Sequence, residues 1–317
     1  MMNETNVTTS VLPFASVFGP VGYLALYGLT LAVICAVQLF LNALTLAAVL
    51  TSPVFKTIQP QRIVLALVPA VGMLTAIGLG IRSISGIVLS SGLHGHGVGL
   101  CQFAAVVFHT ALAMRNVMWA TLTVVIYLSV RCGVKKVKVV PLTVIIVTLW
   151  LFAAATAIPY VSPAYNYDIL LDGVICFTEL ATGAIIHLAL SYITAGLSSH
   201  VVVVSFVVAT VVFVKRNTVS TEAPLNRAMV KFAVLLLIVT FVTVGVNLLG
   251  FVPLAMGEAG TLAIVVWLHL LSTYLLLSLP GIVTPLLMTA TFRPVRDSMK
   301  NILTCRFKKR KLESTAS

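Results

Sequence analysis

Acidic residues are scarce in this chain: Asp and Glu number 8 among 317 residues, and charged residues of both signs together make up 9%. Soluble domains carry about 25% charged residues. A water-soluble fold with 60% hydrophobic residues would aggregate through its exposed apolar surface. The motifs of the common chemistries are missing as well. There is no Gly-x-Ser-x-Gly, no His-Glu-x-x-His and no phosphate-binding loop, so neither an enzyme nor a cofactor is indicated. No repeat relates the two halves, which weakens a transporter built from repeats.

What the chain does have is seven long apolar runs: Leu24–Leu50, Ile63–Leu89, Leu100–Val130, Val139–Val161, Ala184–Val214, Met229–Met256 and Thr261–Ala290. Each matches the ~20 residues that cross a hydrocarbon core. The first is too long and starts too late for a cleavable signal peptide. The connections are short, so neighbouring helices run antiparallel in one bundle. The expected fold is all-α: a seven-transmembrane helix bundle over 24–290, an N-terminal arm over 1–23, and a cytoplasmic amphipathic helix with a basic tail over 291–317.

All but two of the 20 Lys and Arg residues fall in alternate connections. Lys56 and Arg62 lie in the first. Arg131, Lys135, Lys136 and Lys138 lie in the third, and Lys215, Arg216, Arg227 and Lys231 at the fifth. The remainder, from Arg293 to Lys311, follow the last span. Positive residues stay cytoplasmic during insertion, so the expected topology places the N-terminus outside a plasma-membrane multi-pass protein. The net charge of +12 is then a matter of topology and anionic lipid contact, not of nucleic acid. No acid lies within a span. Asn3 and Asn6 begin Asn-x-Thr glycosylation acceptors on the outer arm.

Cys101 opens the third span and Cys176 lies in the connection between spans four and five, both on the oxidising side. They form a bridge over the bundle mouth or remain two free thiols. Cys35 is mid-span, and Cys132 and Cys305 face the cytoplasm. After the last span Phe292, Val295, Met299 and Ile302 make one apolar face and Arg293, Arg296 and Lys300 the other, as in an interfacial helix. Cys305 at its end is a lipidation candidate.

In order and spacing these features resemble the rhodopsin-like G-protein-coupled receptors over Leu24–Cys305. Carrying the resemblance are Asn42 in span one, Cys101 with Cys176, Trp150 followed by Pro159, Phe251-Val252-Pro253 in span six, Pro285 in span seven, and the amphipathic helix ending in Cys305. The resemblance implies a receptor for a small, odorant-like ligand that signals to a heterotrimeric G protein through a pivot at Pro253. The departures are equally specific. Val125-Ile126-Tyr127 stands where the family has an acid-Arg-Tyr signature, which implies atypical coupling through Arg131, five residues after Ile126, and the Lys135–Lys138 cluster, with Tyr127 as a further switch candidate. Thr284-Pro285-Leu286-Leu287-Met288 keeps only the Pro of the family's Asn-Pro-x-x-Tyr. No acid occupies span two, and span five has no Pro. The loosened motifs, with Leu279-Pro280 near the end of span seven, resemble divergent chemosensory receptors of olfactory type. Thr261–Ala290 contains no Lys, which disfavours a retinal Schiff base.

Apart from Lys231, at the edge of the sixth run beside the fifth connection, two cations lie inside spans, where ionisable residues are costly and usually functional. Arg82, near the outer end of span two, can hold an anionic ligand group; alternatively it snorkels to headgroups or pairs with Glu179. Arg115 sits roughly 21 Å below Cys101 at 1.5 Å per residue. There the family would hold sodium with an acid, and Arg115 would supply the positive charge permanently, with Asn42, Asn116, Asn247 and Thr284 as candidate neighbours. The alternative is a buried Arg satisfied by water. His109, His187, Tyr192, Phe251 and His269 are candidates to line an outer cavity, each equally readable as a packing residue. His94 and His96 lack an evident third metal ligand and read as a solvated loop. The competing functional classes are a seven-span scavenger or dimerising partner without G-protein coupling, and a transporter or channel.

Overall fold

A computed structural model describes residues 15–90, 97–132, 138–158, 166–170, 175–179, 190, 192–217, 224–255 and 277–304. Their side chains are described over 29–81, 103, 106–132, 138–158, 190, 193–217, 224–245 and 278–304. Seven helices form the bundle: α1 (Ala15–Thr51), α2 (Gln59–Ser90), α3 (Gly97–Cys132), α4 (Val139–Ala155), α5 (Ser198–Arg216), α6 (Pro224–Ala255) and α7 (Leu277–Thr291), followed by α8 (Arg293–Leu303). Lipid offers the backbone no hydrogen bonds, so Leu-, Val- and Ala-rich runs satisfy every N–H and C=O internally as helix.

The ends of the helices follow from local chemistry. Pro53 disfavours the helical region for the residue before it, and Ser52 is extended, with ψ 123°, which ends α1 at Thr51. A single helical turn, Pro53–Lys56, then leads into α2. Phe292, with φ −98° and ψ 102°, breaks α7 from α8, whose first turn contains Pro294. Helix α1 begins at Ala15, earlier than the apolar run starting at Leu24 suggests. Helix α4 stops at Ala155, short of the expected Val161, and a turn carries the chain to Ile158.

Five of the helices are long and apolar enough to cross a membrane, and Val139–Ala155 and Ser278–Thr291 are shorter apolar helices. Apolar side chains make up both the core and much of the exterior. Val140, Leu151 and Leu29 are 73%, 67% and 62% exposed, whereas Gln38, Thr45 and Asn42 are buried within a mainly apolar core. An apolar exterior with the polar side chains kept inside suits a lipid solvent. Among the described residues, a short hairpin lies in the connection between α4 and α5. There β1 (Asn166–Leu170) pairs antiparallel with β2 (Ile175–Glu179), with Ile169 opposite Cys176. Tyr167, Ile169, Ile175 and Phe177 are the β-favouring residues that support it. Strand β1 rests against α3 and β2 against α2.

The basic connections gather at the opposite end of the bundle. Arg62 Nη2 on α2 donates to the Leu50 carbonyl of α1 at 2.6 Å, and Gln61 Nε2 donates to Ser129 Oγ on α3 at 2.7 Å. Phe292, fully buried, meets Phe55 at 6.1 Å and Phe232 of α6 at 5.4 Å between ring centroids. Three aromatic rings thereby join α6, the turn before α2, and the α7–α8 junction. Helix α8 buries Val295 and Met299 and exposes Arg293, Arg296, Asp297 and Lys300, the interfacial arrangement expected from its spacing. Cys305 lies outside the described residues.

Candidate functional site

The polar interior begins with two amides of α1. Asn42 Nδ2 donates to its own helix at the Gln38 carbonyl, 2.7 Å, and to the Gly281 carbonyl of α7, 2.8 Å. The second bond has a covalent cause. Gly281 O would ordinarily accept from the amide four residues later, but that residue is Pro285, which has no N–H. Gln38 Nε2 donates in turn to Gly72 O of α2 at 3.1 Å. Both glycines are required by this approach: a Cβ on Gly72 would overlap the Asn42 side-chain oxygen, and one on Gly281 the Gln38 amide nitrogen. Asn42 and Pro285, expected to act together only through the family resemblance, are therefore joined by a hydrogen-bonding need that Pro285 itself creates. Gln38, Gly72 and Gly281 were not singled out from sequence. Without the fold, nothing marks which Gln or Gly faces another helix.

Halfway along α3 lies Arg115, 5% exposed, with its guanidinium carbon 5.2 Å from the centroid of Trp119 one turn further on. The neighbours expected from sequence were Asn42, Asn116, Asn247 and Thr284. Asn42 is committed to Gln38 and Gly281, and Asn116 Oδ1 and Thr284 Oγ1 accept and donate no hydrogen bond. The Asn247 side chain lies outside the described residues. A buried residue the sequence reading passed over is His200 of α5, 3% exposed, both of whose ring nitrogens are buried without a hydrogen-bond partner. Helix α5 is entered through a π-helical turn, Tyr192–Leu197. Such turns are rare and often found at functional sites, and this one forms without a proline.

At the basic end, Ile126 is 1% exposed and belongs to the core. Arg131 Nη1 donates to the Tyr127 hydroxyl at 2.8 Å and its guanidinium carbon lies 5.7 Å from the same ring. Tyr127 packs edge-on against Phe206 of α5, centroids 5.4 Å apart. Arg131 is thus exposed yet folded back along its own helix onto a ring that bridges α3 and α5.

Of the residues expected to bind ligand, Arg82 lies on α2, Tyr192 opens the π turn and Phe251 lies on α6, as does the expected pivot Pro253; their side chains are not among those described. His187 and His269, like Asn3 and Asn6, lie outside the described residues. His109 on α3 is half-buried, its ring 5.7 Å from Phe108. Cys101 lies on α3 and Cys176 on β2, and whether they are bonded falls outside the described side chains. A groove of about 700 Å³ opens instead on the flank of the bundle between α3, α4 and the start of α5, lined by Thr121, Leu128, Leu142, Ile145, Thr194 and Val202 among others. It runs to Cys132 and Lys138 at the basic end, and His109 does not line it.

By sequence, neither a family model nor a curated protein matches this chain. By structure, squid rhodopsin in its crystal form aligns with 95% of this chain and 90% of its own, with a TM-score of 0.67 at 14% identity. The chain has the rhodopsin fold. Within that fold, Asn42 of α1 bonds α7 at Gly281, four residues before Pro285, while Ile126 is buried near the base of α3 and Arg115 is a buried cation halfway along it. The likeness concerns architecture: the last apolar run, Thr261–Ala290, holds no Lys.

Proposed function

We propose that this protein is a plasma-membrane receptor that binds a small molecule near the Cys101 end of the bundle and signals to a heterotrimeric G protein at the basic end. The observation that carries the reading is the rhodopsin fold over 95% of the chain, with α7 tied to α1 through Asn42 and Gly281. In this reading the N-terminus is extracellular and glycosylated at Asn3 and Asn6. Cys101–Cys176 closes the loop over the cavity, and a lipidated Cys305 anchors α8. The ligand is an odorant-like small molecule contacted by Arg82, His109, His187, Tyr192, Phe251 and His269. Pro253 lies on α6, so a pivot there moves the arm from Pro224 to Val252. Ligand shifts that equilibrium only by its differential affinity for the two states. Asn42, Arg115, Tyr127, Arg131 and Pro285 would transmit or limit the change.

The test is ligand-evoked G-protein turnover in membranes holding the full chain, screened with acidic and neutral odorant-like compounds. An acidic agonist weakened roughly tenfold or more by Arg82→Gln, with a neutral agonist unaffected, would support the proposed contact, since a charged hydrogen bond contributes about 1.5–3 kcal/mol. Burial of Ile126 where a coupling Arg is expected favours a second reading, a seven-span protein without G-protein coupling. Absence of turnover at verified surface expression would select it.

A further inference from the structure

The groove of about 700 Å³ between α3, α4 and the start of α5 has no part in the proposed ligand and coupling ends. It opens on the outer flank of the bundle, where the lining side chains Leu128, Ile145 and Phe152 are exposed. Its hydroxyls are engaged within their own helices. Thr121 donates to the Val117 carbonyl at 2.9 Å, Thr194 to Leu190 at 2.8 Å and Ser199 to Ala195 at 2.8 Å. The wall therefore suits a hydrocarbon chain better than a polar ligand. One end differs. Lys138, exposed, lines the groove at the start of α4. No side chain caps that helix and its first turn holds no acid, so the positive end of the helix dipole adds to the lysine charge. Among the described residues the ion pair lies elsewhere, between Arg293 and Asp297 of α8. From Lys138 to Phe152 the groove follows α4 for roughly 21 Å at 1.5 Å per residue. One leaflet's hydrocarbon, half of a ~30 Å core, is about 15 Å deep. A lipid chain anchored at Lys138 thus ends inside the groove.

We propose that this groove holds one anionic phospholipid of the adjoining leaflet, with its headgroup at Lys138 and the α4 N-terminus and one acyl chain lying between α3 and α4 toward Phe152. Charge selects the headgroup. A zwitterionic lipid would bring a cation of its own to the same place, whereas a net negative one meets only attraction. The apolar wall selects the chain. The site is distinct from the general attraction of the basic end for anionic lipid, because it pairs one lysine with one groove. It does not depend on the protein being a coupled receptor, since occupancy is read from binding and not from signalling.

The experiment is native mass spectrometry of the purified full-length protein, released from micelles that contain equal amounts of phosphatidylserine and phosphatidylcholine with identical acyl chains. The expected result is one retained lipid, with phosphatidylserine favoured roughly fivefold, the effect of one lysine at an anionic membrane surface. Lys138→Gln should abolish that preference. Lys300→Gln, a change to an exposed cation of α8 at the same end, should leave it intact. Ala120→Trp fills the groove from α3 and should prevent retention of either lipid. Should that variant fail to fold, Ile145→Trp at an exposed position of α4 obstructs the same space. Equal retention of the two lipids by the wild-type protein overturns the site. Equal losses in Lys138→Gln and Lys300→Gln also overturn it, because they show attraction by the basic surface as a whole. Retention that survives both tryptophan substitutions places the chain outside the groove and overturns it as well.

Discussion

The side-chain amide of Asn42 donates to the Gly281 carbonyl across the α1–α7 interface at 2.8 Å. The acceptor is available because Pro285, four residues on, cannot supply the intrahelical N–H. A proline in one helix and an asparagine in another, 243 positions apart, are thereby made interdependent.

Asn42→Ala should lower the unfolding free energy by about 1–2 kcal/mol, since a buried carbonyl loses its donor. Pro285→Ala restores an intrahelical donor to Gly281. The double variant should therefore be less destabilised than the sum of the singles, a coupling that thermal melts of all four proteins would expose. Strict additivity would mean that Pro285 does not govern this bond.

Gly281→Ala places a methyl group on the Gln38 amide. The expected outcome is a strong loss of correctly folded protein at the cell surface, with recovery when Gln38→Ala removes the obstructing group. If Gln38→Ala gives no recovery, the glycine is needed for some reason other than this contact.

Replacing either Cys101 or Cys176 with Ser should reduce surface expression comparably, and the double replacement should be no worse, because both remove one bond. Flow cytometry against an N-terminal epitope measures this. Losses that add would show that the two thiols act separately.

In the same cells, that N-terminal epitope should be stained without permeabilisation and a C-terminal one only after it. The expectation rests on the confinement of loop and tail cations to one side. Reversed staining would invert the whole assignment of ligand-facing and coupling ends.

At the basic end, Arg131→Ala should reduce G-protein turnover, if turnover exists, while Tyr127→Phe should release the Arg131 side chain from its 2.8 Å bond and raise it. Ile126→Arg is a poor means of restoring a missing charge. Ile126 is 1% exposed, so a cation there would enter the core and destabilise folding by several kcal/mol. Turnover indifferent to both Arg131→Ala and Tyr127→Phe would place the coupling contact elsewhere.

The sequence by itself determined the solvent, the number of spans and the ordering of the chain. Length of apolar runs and the placement of cations are one-dimensional properties that lipid thickness and insertion act on directly, and the periodicity of Phe292, Val295, Met299 and Ile302 likewise decided which face of α8 is buried. The break at Ser52 was legible in principle, since Pro53 restricts the residue before it. Tertiary structure alone decided which polar residues meet. Gln38 and Asn42 look alike to any reading along the chain. Their consequence comes from facing glycines on α2 and α7, distant in sequence and small enough to let an amide approach. His200 drew no attention as one histidine in an apolar run, and became significant only when the packing of the bundle buried it with neither ring nitrogen partnered. Arg131, expected from sequence to serve coupling, lies along its own helix, because the Tyr127 hydroxyl and ring one turn back offer both a hydrogen bond and a π face. Such partners depend on rotation and depth of helices relative to one another, which hydrophobic patterning constrains only loosely when lipid-facing and core-facing side chains are both apolar.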